Sequence, residues 1–428
     1  MPTICITAQE FPPDVGGVGV SAKRIALLLQ NLGYRVHVAV FRSVFRKQRK
    51  LAKTGKFSRS RCETATQNGI IVHRLYPAVR STVARDQDYL IDTYGQLTTL
   101  HQQYQFDLVH AFFINETGFL TTMLAKENNI PVINSVRGAD LHKHIFDCQQ
   151  QKQIAWTLEN SDWTTFVSRD LLHRARLFVP TITRKSSAFL NSIAPVDFNN
   201  LPTPSLINKL KGMVIGSVGN FRDKKGIEYL LDACRKIETE FTLLFVGEFV
   251  PKEAEYWQQE LANSGLSDKI VITGKVSREE ALAYLPHMDI FAIPSLNDGC
   301  PNALLEAMLA KRAVVGTNVD AIAEIIEDGV NGLLVNPYSS EELAIAIAKL
   351  IERPLLRQTF GKLAKQKTLQ DLTPAVERAN WSKIYNRVLA VGGVEVEEME
   401  GIEGVEGDKK HDLATNHTVN RLLAISHE

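Results

Sequence analysis

Three glycine-containing loops hold residues that are well suited to bind an anion or a hydroxyl-rich ligand. The first loop, residues 11–19, reads FPPDVGGVG and lies between a strand pattern and a helical pattern. Glycines at such a junction let backbone amides approach an anion, and the start of a helix favours negative charge. Because the spacing is not G-x-G-x-x-G, the dinucleotide-binding fingerprint is absent. A tight strand-to-helix turn is the alternative interpretation.

The second loop, residues 219–226, reads GNFRDKKG and also precedes a helical pattern. Arg222 and Lys225 would flank the start of that helix, so cations and backbone donors converge on one point. A diphosphate leaving group needs such groups, because negative charge develops on it as it departs. The loop lacks the G-K-S/T of a Walker motif. A solvated basic turn is the alternative interpretation.

The third loop and the helix after it, residues 294–306, read PSLNDGCPNALLE and supply two carboxylates, Asp298 and Glu306. Two carboxylates at one wall of a cleft suit a sugar or ribose, since each oxygen can accept a hydrogen bond from a hydroxyl. A solvent-facing helix would also carry a glutamate. However, Glu306 lies within the apolar run ALLEAM, which predicts that it is at least partly buried and has a partner.

The elements that must position these loops repeat a strand–helix–strand order. Strand patterns occur at 3–8, 35–40, 70–75, 107–113, 131–136 and 163–168, and again at 212–218, 241–247, 269–274 and 290–295. Short connections between alternating strands and helices favour parallel sheets covered on both faces. We therefore predict an α/β fold of two Rossmann-like, parallel-sheet domains facing a central cleft, with the site in the loops that follow the strands.

A proline-containing break at residues 190–210 and a change of composition near the C-terminus predict the domain boundaries. The tail is rich in glutamate and glycine, a composition that does not favour a packed core. The predicted parts are a first domain at 1–200, a linker at 201–211, a second domain at 212–372, a helix at 373–392, and an acidic, disordered tail at 393–428.

Composition and charge disfavour several classes of protein. The longest apolar run is shorter than the ~18 residues of a membrane-spanning helix. The N-terminus lacks the pattern of an export signal, and the five cysteines are scattered singly, as is typical of a reducing compartment. A net charge of +1 gives no reason to expect a nucleic-acid partner. We expect a protein of the cytoplasm.

Taken in order and spacing, the loops resemble those of the family 4 retaining glycosyltransferases, which have the GT-B fold of two Rossmann-like domains. The resemblance is strongest over residues 213–337, which contain VGNFRDKKGIEYLLDA, FVGE, DIFAIPSLNDGCPNALLEAMLAKRAVV and EIIEDGVNGLLV. It is looser in the first half, where it rests on residues 12–17, FDLVHAFF, VRGAD and VSRDL. It implies a retaining hexosyltransferase that moves a sugar from a nucleotide-diphosphate sugar to a hydroxyl of a glycan or lipid-linked acceptor, in synthesis of a cell-surface polysaccharide or glycolipid.

The resemblance also implies how the donor is held. The second domain would bind the nucleotide sugar, the first would bind the acceptor, and the helix at 373–392 would cross back onto the first domain. Arg222 and Lys225 would bind the diphosphate and Glu306 the ribose hydroxyls. The implied donor-binding residues are Gly16, Gly17, Arg222, Lys225, Gly299, Cys300, Asn302 and Glu306.

The resemblance implies that Asp298, Arg137 and Asp140 are the catalytic residues. Three positions depart from the family pattern: Asp298, Asn220 and Arg137. Asp298 stands where the family has a glutamate, which is one methylene longer. Asn220 stands where the diphosphate loop usually has an arginine, and the nearby Arg222 is expected to substitute for it. In the first domain, Arg137-Gly-Ala-Asp140 replaces His-Gly-x-Asp. Since arginine cannot act as a base, the role of Arg137 would be electrostatic.

The resemblance implies a reaction without a metal or other cofactor, because a diphosphate oxygen can take the proton of the acceptor. Asp86-Gln-Asp88 is interpreted as a surface turn. His142 and His144 lack a third ligand for a metal site. His110, at the end of an apolar strand, is either a core histidine or a contact to the acceptor.

Residues 42–61 contain nine basic residues, no acidic residue and several apolar ones. Basic and apolar side chains together suit an anionic membrane surface. The segment would then place the enzyme peripherally on the inner face of the membrane, near a lipid-linked or anionic acceptor. An exposed loop without a membrane role is the alternative.

Two further functions are compatible with the same loops. One is a nucleotide-sugar epimerase with the same double fold, which would form a product from the donor alone. The other is a non-catalytic protein that binds a nucleotide sugar, an alternative favoured by the departures at Asn220, Arg137 and Asp298.

Overall fold

Parallel strands of the first half form one sheet in the computed structural model, which describes residues 1–14, 16–42, 57–79 and 86–391. Within those residues the strands of this half are β1 (Thr3–Ala8), β2 (Arg35–Phe41), β3 (Arg61–Gln67), β4 (Ile70–Tyr76), β5 (Leu108–Phe112), β6 (Val132–Val136), β7 (Trp163–Phe166) and β8 (Ser186–Ala188). Their order is β3-β4-β2-β1-β5-β6-β7-β8, and all pairs are parallel except β3 with β4.

A second, fully parallel sheet follows in the second half. Its strands are β9 (Met213–Val218), β10 (Phe241–Val246), β11 (Ile270–Ile272), β12 (Ile290–Ile293), β13 (Ala313–Thr317) and β14 (Leu333–Val335). The order β11-β10-β9-β12-β13-β14 brings β9 and β12, which precede the second and third loops, side by side at the centre of the sheet. The two loops therefore leave the same edge of the sheet.

Helices cover the faces of both sheets. In the described part of the first half they are α1 (Gly17–Asn31), α2 (Asp86–Tyr104), α3 (Glu116–Asn128), α4 (Ala139–His142), α5 (Cys148–Asn160) and α6 (Arg169–Phe178). In the second half they are α7 (Ile227–Cys234), α8 (Ala254–Asn263), α9 (Arg278–Tyr284), α10 (Asn302–Leu309), α11 (Asp320–Ile325), α12 (Ser340–Glu352), α13 (Pro354–Asp371) and α14 (Pro374–Val391). Two mostly parallel sheets covered by helices confirm the predicted α/β fold class.

Burial of the central strands explains why the chain adopts this architecture. All residues of β1, β5, β6 and β10 are buried, as expected for parallel strands covered on both faces. In the second half, one face of the sheet packs around Phe245 and Trp257, and the other around Phe291 and Met308. Packing of apolar side chains on both faces stabilises the strands, so the loops at the strand ends are the segments that can carry binding residues.

The last described helix, α14, contacts the first half of the chain. Its Tyr385 hydroxyl lies 2.6 Å from Nδ1 of His110 in β5. Its Trp381 packs edge-on against Phe189, with ring centroids 5.0 Å apart. A helix that crosses back onto the first domain would make such contacts. The predicted boundaries of the two domains, the linker, this helix and the tail remain predictions.

Three sequence-based expectations concern segments outside the central sheets. The interpretation of residues 86–88 as a surface turn is wrong, because they belong to helix α2. Residues 43–56 of the basic segment and the tail at 393–428 lie outside the described residues. Among the helices that the structure describes, none combines the length and apolar character needed to cross a membrane.

Candidate functional site

The second and third loops meet through a glycine that leaves no room for a side chain. Gly226 adopts a left-handed conformation, with φ of 61°, and precedes helix α7. A Cβ atom on this residue would lie 2.1 Å from the carbonyl oxygen of Pro294. The Leu296 amide also donates to the Lys224 carbonyl, at 2.8 Å. The loop after β9 is therefore held directly against the loop after β12.

An ion pair joins the two loops at this junction. Lys225 Nζ lies 2.6 Å from Asp298 Oδ2, and both side chains are largely buried. Burial opposes ionisation of Asp298, but the charges of Lys225, Lys224 and Arg222 together hold its pKa below the ordinary value. Asp298 is therefore a carboxylate at neutral pH, beside a cation predicted to bind the diphosphate.

Glu306 lies in helix α10, with its side chain 13% exposed. Its Oε1 accepts a hydrogen bond from Arg278 at 3.0 Å. Burial raises the pKa of Glu306, although Arg278 opposes this shift. Sequence reasoning predicted that Glu306 is partly buried and has a partner, and both expectations are confirmed; it did not identify Arg278, which is 28 residues away.

The third loop also contacts the backbone of the first half. A Cβ atom on Gly299 would lie 2.5 Å from the carbonyl oxygen of Arg137, and Gly138 faces the Cα atom of Gly299. Gly138 has a φ of 116°, a conformation that favours glycine. Because both positions lack a side chain, the Arg137–Gly138 turn and the loop after β12 approach each other closely.

Arg137, a predicted catalytic residue, is held by side chains of the first half and of the proline-containing break. Its guanidinium donates to Ser21 Oγ at 2.8 Å and to Asn191 Oδ1 at 2.9 Å. It also lies 5.4 Å from the ring centroid of Phe112. Burial lowers the pKa of Arg137 to about 10, with a further contribution from the charge of Arg24. Arg137 is therefore still a cation at neutral pH.

Asp140, the second predicted catalytic residue of this turn, binds backbone amides. Its two carboxylate oxygens accept from the Ile114 amide at 2.8 Å and from the Arg137 amide at 2.9 Å. The residue is fully buried, and burial raises its pKa. In this geometry Asp140 positions Arg137, and its predicted catalytic role stays a prediction.

His110 has the environment of a core histidine. Besides the Tyr385 hydroxyl, it contacts Ser135 Oγ, which lies 2.7 Å from its Nε2 atom. The residue has no exposed surface, and burial, together with the charge of Arg137, lowers its pKa to about 3. His110 is therefore neutral with both ring nitrogens engaged, a geometry that does not favour the predicted contact to the acceptor.

Asn191 connects the two halves, and sequence reasoning missed it. Its Oδ1 accepts from Arg24 at 3.1 Å as well as from Arg137. Its Nδ2 donates to the Cys300 carbonyl and lies 3.4 Å from Asn302 Oδ1. Because Asn191 lies in the proline-containing break, composition indicated a connecting segment there and gave no signal for a role in the site.

The predicted donor contacts Cys300 and Asn302 thus lie against residues of the first half. Cys300 Sγ accepts from the Asn191 amide at 3.3 Å, and burial raises the pKa of its thiol to about 12. Arg24, which also reaches Asn191, forms a two-pronged ion pair with Glu377 of α14, at 2.8 and 3.0 Å. First half, third loop and α14 are therefore linked by one polar network.

Glu10, just before the first loop, is influenced by the charge of Arg222 in the second loop. A Cβ atom on Gly16 would collide with the carboxylate of Glu10, whereas the space around Gly17 is open. Burial and the charge of Asp14 raise the pKa of Glu10, and Arg222 and Arg42 oppose this shift. Glu10 therefore lies directly against Gly16 of the first loop, and the charge of Arg222 in the second loop acts on it.

The described residues contain no group of three or more histidine, cysteine, aspartate or glutamate side chains placed to hold a metal ion. His142 Nε2 lies 3.0 Å from Asp320 Oδ2, so its neighbour is a single carboxylate. What the site offers is a cluster of cations at the start of α7, together with two buried carboxylates. Such a site can hold an anionic group and a hydroxyl-rich group side by side.

Two family models match this chain. The Glycosyltransferase Family 4 model matches residues 15–181, and the Glycosyl transferases group 1 model matches residues 212–353. Together they cover well over half of the chain, and each lies within one of its two halves.

Similar proteins include glycosyltransferases of archaea and bacteria. An uncharacterised glycosyltransferase of Methanocaldococcus jannaschii is 23% identical over 356 residues, which are 83% of this chain and 90% of the relative. A putative teichuronic acid biosynthesis glycosyltransferase of Bacillus subtilis, TuaC, is 25% identical over 348 residues, 78% of this chain and 85% of the relative. The structure of Anabaena HepE in complex with UDP-glucose has a TM-score of 0.70 and 17% identity, and the match covers 90% of this chain and 99% of that one.

Proposed function

We propose that this chain, which belongs to the family 4 glycosyltransferases, is a retaining enzyme that uses a nucleotide-diphosphate sugar. It transfers the sugar to a hydroxyl of a glycan or lipid-linked acceptor. The observation that carries this proposal is the junction of the second and third loops. There, Lys225 and Asp298 bring a diphosphate-binding cation within 2.6 Å of a carboxylate that can contact a sugar.

In the proposed complex, the donor lies along the strand ends of the second sheet. Arg222 and Lys225 hold the diphosphate, and the amides at the start of α10 face the transferred sugar. Glu306 accepts hydrogen bonds from the ribose, for which its buried carboxylate has a fixed position in a helix. Gly16 and Gly17 cover the phosphates from the first half.

The proposed reaction needs no metal and no protein base. The bond between the anomeric carbon and the diphosphate oxygen breaks, and its electron pair passes to that oxygen. The acceptor oxygen forms the new bond on the same face, and its proton passes to the departing diphosphate. The cations of the second loop stabilise the charge on the leaving group. Arg137 adds positive charge from the first half.

The biological role we propose is synthesis of a cell-surface polysaccharide or glycolipid. The similarity to TuaC, which is named for teichuronic acid biosynthesis, supports a polysaccharide. Similarity to HepE, which is seen with UDP-glucose, supports a nucleotide-sugar donor. The basic segment at 42–61 supports a peripheral position on the inner face of a membrane. Equal binding to vesicles with and without anionic lipid would contradict this membrane position.

Nuclear magnetic resonance of the products tests the proposal. We would incubate the full chain with UDP-glucose, UDP-N-acetylglucosamine, GDP-mannose or ADP-glucose, alone and with simple glycosides as acceptors. We expect a new glycoside, or free sugar in the absence of an acceptor, whose first-formed anomer matches that of the donor. Lys225→Ala should slow its formation at least a hundredfold, equivalent to about 2.7 kcal/mol.

Each other outcome rejects a defined part of the proposal. An inverted anomer would reject retention but leave glycosyl transfer in place. An epimerised nucleotide sugar, formed from the donor alone, would identify the epimerase. Binding of a donor without any product would identify the non-catalytic protein.

A further inference from the structure

Glu324 of α11, in the second half, caps a helix that belongs to the first half. Its Oε1 accepts hydrogen bonds from the backbone amides of Arg169 and Asp170, the first two residues of α6, the second of these at 3.4 Å. The next amide, that of Leu171, donates to Ser168 Oγ at 3.2 Å. The first amides of a helix have no partner within the helix. Two of those of α6 are therefore satisfied by a side chain that lies 154 and 155 positions further along the sequence.

The charge of Glu324 suits this position. The start of a helix favours negative charge, because the helix dipole and the unpaired amides are directed toward it. Glu324 is half-buried. Burial raises its pKa, and the hydrogen bonds from the Arg169 and Asp170 amides oppose this shift. A hydrogen bond from an amide to a carboxylate is stronger than one to a neutral acceptor. The contact is therefore more than a passing touch between two surfaces.

The contact lies between two cavities at the boundary of the halves. One cavity, of about 520 Å³, adjoins the third loop at Asn297. The other, of about 610 Å³, adjoins the segment that leads into α14 at Thr373. Arg169 and Glu324 line both cavities. The cap of α6 therefore joins the halves at a point between the third loop and the start of α14.

The third loop contacts the same turn of the first half. Val167, which directly precedes the capped turn, is buried. A Cβ atom on Gly299 would lie 3.2 Å from Cγ2 of Val167. Residues 167–170 are therefore held by the second half at two points, by Glu324 and by Gly299. Because Gly299 follows Asp298, a shift of this turn would change the surface against which the predicted sugar-binding loop packs.

We propose that Glu324 is a positioning residue, which holds residues 167–170 of the first half in place against the third loop. In this way it keeps the Arg137–Gly138 turn next to Asp298. The role in sugar transfer rests on the proposed function. Most of the residues proposed to hold the donor lie in the second half, so loss of the cap leaves donor binding in place and lowers the rate of transfer.

Hydrogen exchange of the full chain tests the contact without any nucleotide. In Glu324→Ala, we expect the amides of residues 169 and 170 to exchange about tenfold faster than in the wild type, because both lose their acceptor. In Glu324→Gln, which keeps an acceptor oxygen, we expect exchange close to that of the wild type. Glu352→Ala, at an exposed glutamate of α12, is the control and should leave this exchange unchanged.

Steady-state kinetics of the same variants test the positioning role, with the donor and acceptor that the product analysis identifies. We expect Glu324→Ala to lower kcat about tenfold, equivalent to ~1.4 kcal/mol, and to leave the donor KM within about twofold of the wild type. Glu324→Gln should keep most of the wild-type kcat. A cap that only stabilises the fold would lower the melting temperature and leave the kcat of the folded enzyme unchanged.

Arg169→Pro removes one of the two hydrogen bonds from the side of the donor, and it also serves if Glu324→Ala does not fold. Proline suits the first position of a helix, and Ser168 before it has the extended backbone that proline requires, with φ of −154° and ψ of 157°. Arg169→Ala keeps the amide and is the matched control. We expect the kcat of Arg169→Pro to be about tenfold below that of Arg169→Ala.

Three results would overturn the proposal: unchanged exchange of residues 169 and 170 in Glu324→Ala, faster exchange with an unchanged kcat, or equal kcat values for Arg169→Pro and Arg169→Ala. Since the exchange measurement uses no nucleotide, unchanged exchange leaves glycosyl transfer untouched. Conversely, the expected exchange in a chain that transfers no sugar would reject the proposed function, and with it the role in transfer, and would keep Glu324 as the residue that holds this turn.

Discussion

At the level of single residues, the site depends on charges that burial has shifted. Asp298 and Glu306 are both largely buried carboxylates, but their pKa values move in opposite directions. Asp298 lies among three cations, which overcome the effect of burial. Among the described residues, the cation paired with Glu306 is the well-exposed Arg278, whose charge does not offset the effect of burial. The two carboxylates therefore lose their charges in different ranges of pH.

Glu306 is expected to set the acidic limit of donor binding. Its pKa is raised above the ordinary value of 4.5, so its charge is lost as the pH falls through a value higher than that. We expect the donor KM of the wild type to rise over that range, because a carboxylate accepts hydrogen bonds from the ribose more strongly than a carboxylic acid does.

Glu306→Gln should raise the donor KM at neutral pH at least tenfold, or ~1.5–3 kcal/mol for a hydrogen bond to a charged group, and should remove the pH dependence. Glu352→Gln, an exposed glutamate of α12, is the control. Initial rates between pH 4 and 7 provide the measurement. A wild-type KM that stays constant down to pH 4.5 would contradict this role of Glu306.

At the level of elements, the loop contacts depend on glycines in unusual conformations. Gly226 and Gly265 both have positive φ, of 61° and 69°. Only Gly226 has a neighbouring backbone atom where a side chain would go, since the space around Gly265 is open. Substitutions at the two positions therefore distinguish two free-energy losses: that of placing a side chain on a left-handed backbone, and that of breaking the contact between the second and third loops.

Gly226→Ala should lower the free energy of unfolding by ~3 kcal/mol or more and weaken donor binding, because the second and third loops must move apart. Gly265→Ala should cost only the ~1–2 kcal/mol of the left-handed conformation and leave donor binding unchanged. Chemical denaturation and donor titration measure both effects. Equal losses in the two variants would show that the junction contributes nothing.

Much of the sheet architecture was predictable, because its central strands are continuous apolar runs. Strand β3 was not, since Arg61–Gln67 is polar and almost fully exposed, and therefore carries no apolar pattern. The three loops could be located from glycines and charges near strand ends. Asp140 and His110 could not be assigned to interior networks, because their partners Ile114 and Tyr385 are far away in the sequence.

At the level of the whole molecule, the site is formed where two parallel sheets direct their loops toward each other. Asn191 and the Arg24–Glu377 pair connect the first half, the third loop and α14. Gly299 brings the third loop against the Arg137–Gly138 turn. This arrangement places the proposed leaving group between cations of both halves, which is what the proposed reaction requires of the fold.

The central claim is that the second loop binds the diphosphate of a nucleotide sugar. Isothermal titration of UDP, GDP and ADP into the wild type, Lys225→Ala and the control Lys349→Ala, an exposed lysine of α12, tests it most directly. We predict that one nucleotide binds the wild type and the control equally, and that Lys225→Ala binds it at least a hundredfold more weakly, by about 2.7 kcal/mol. Binding of none of the three nucleotides, or unchanged binding by Lys225→Ala, would contradict the claim.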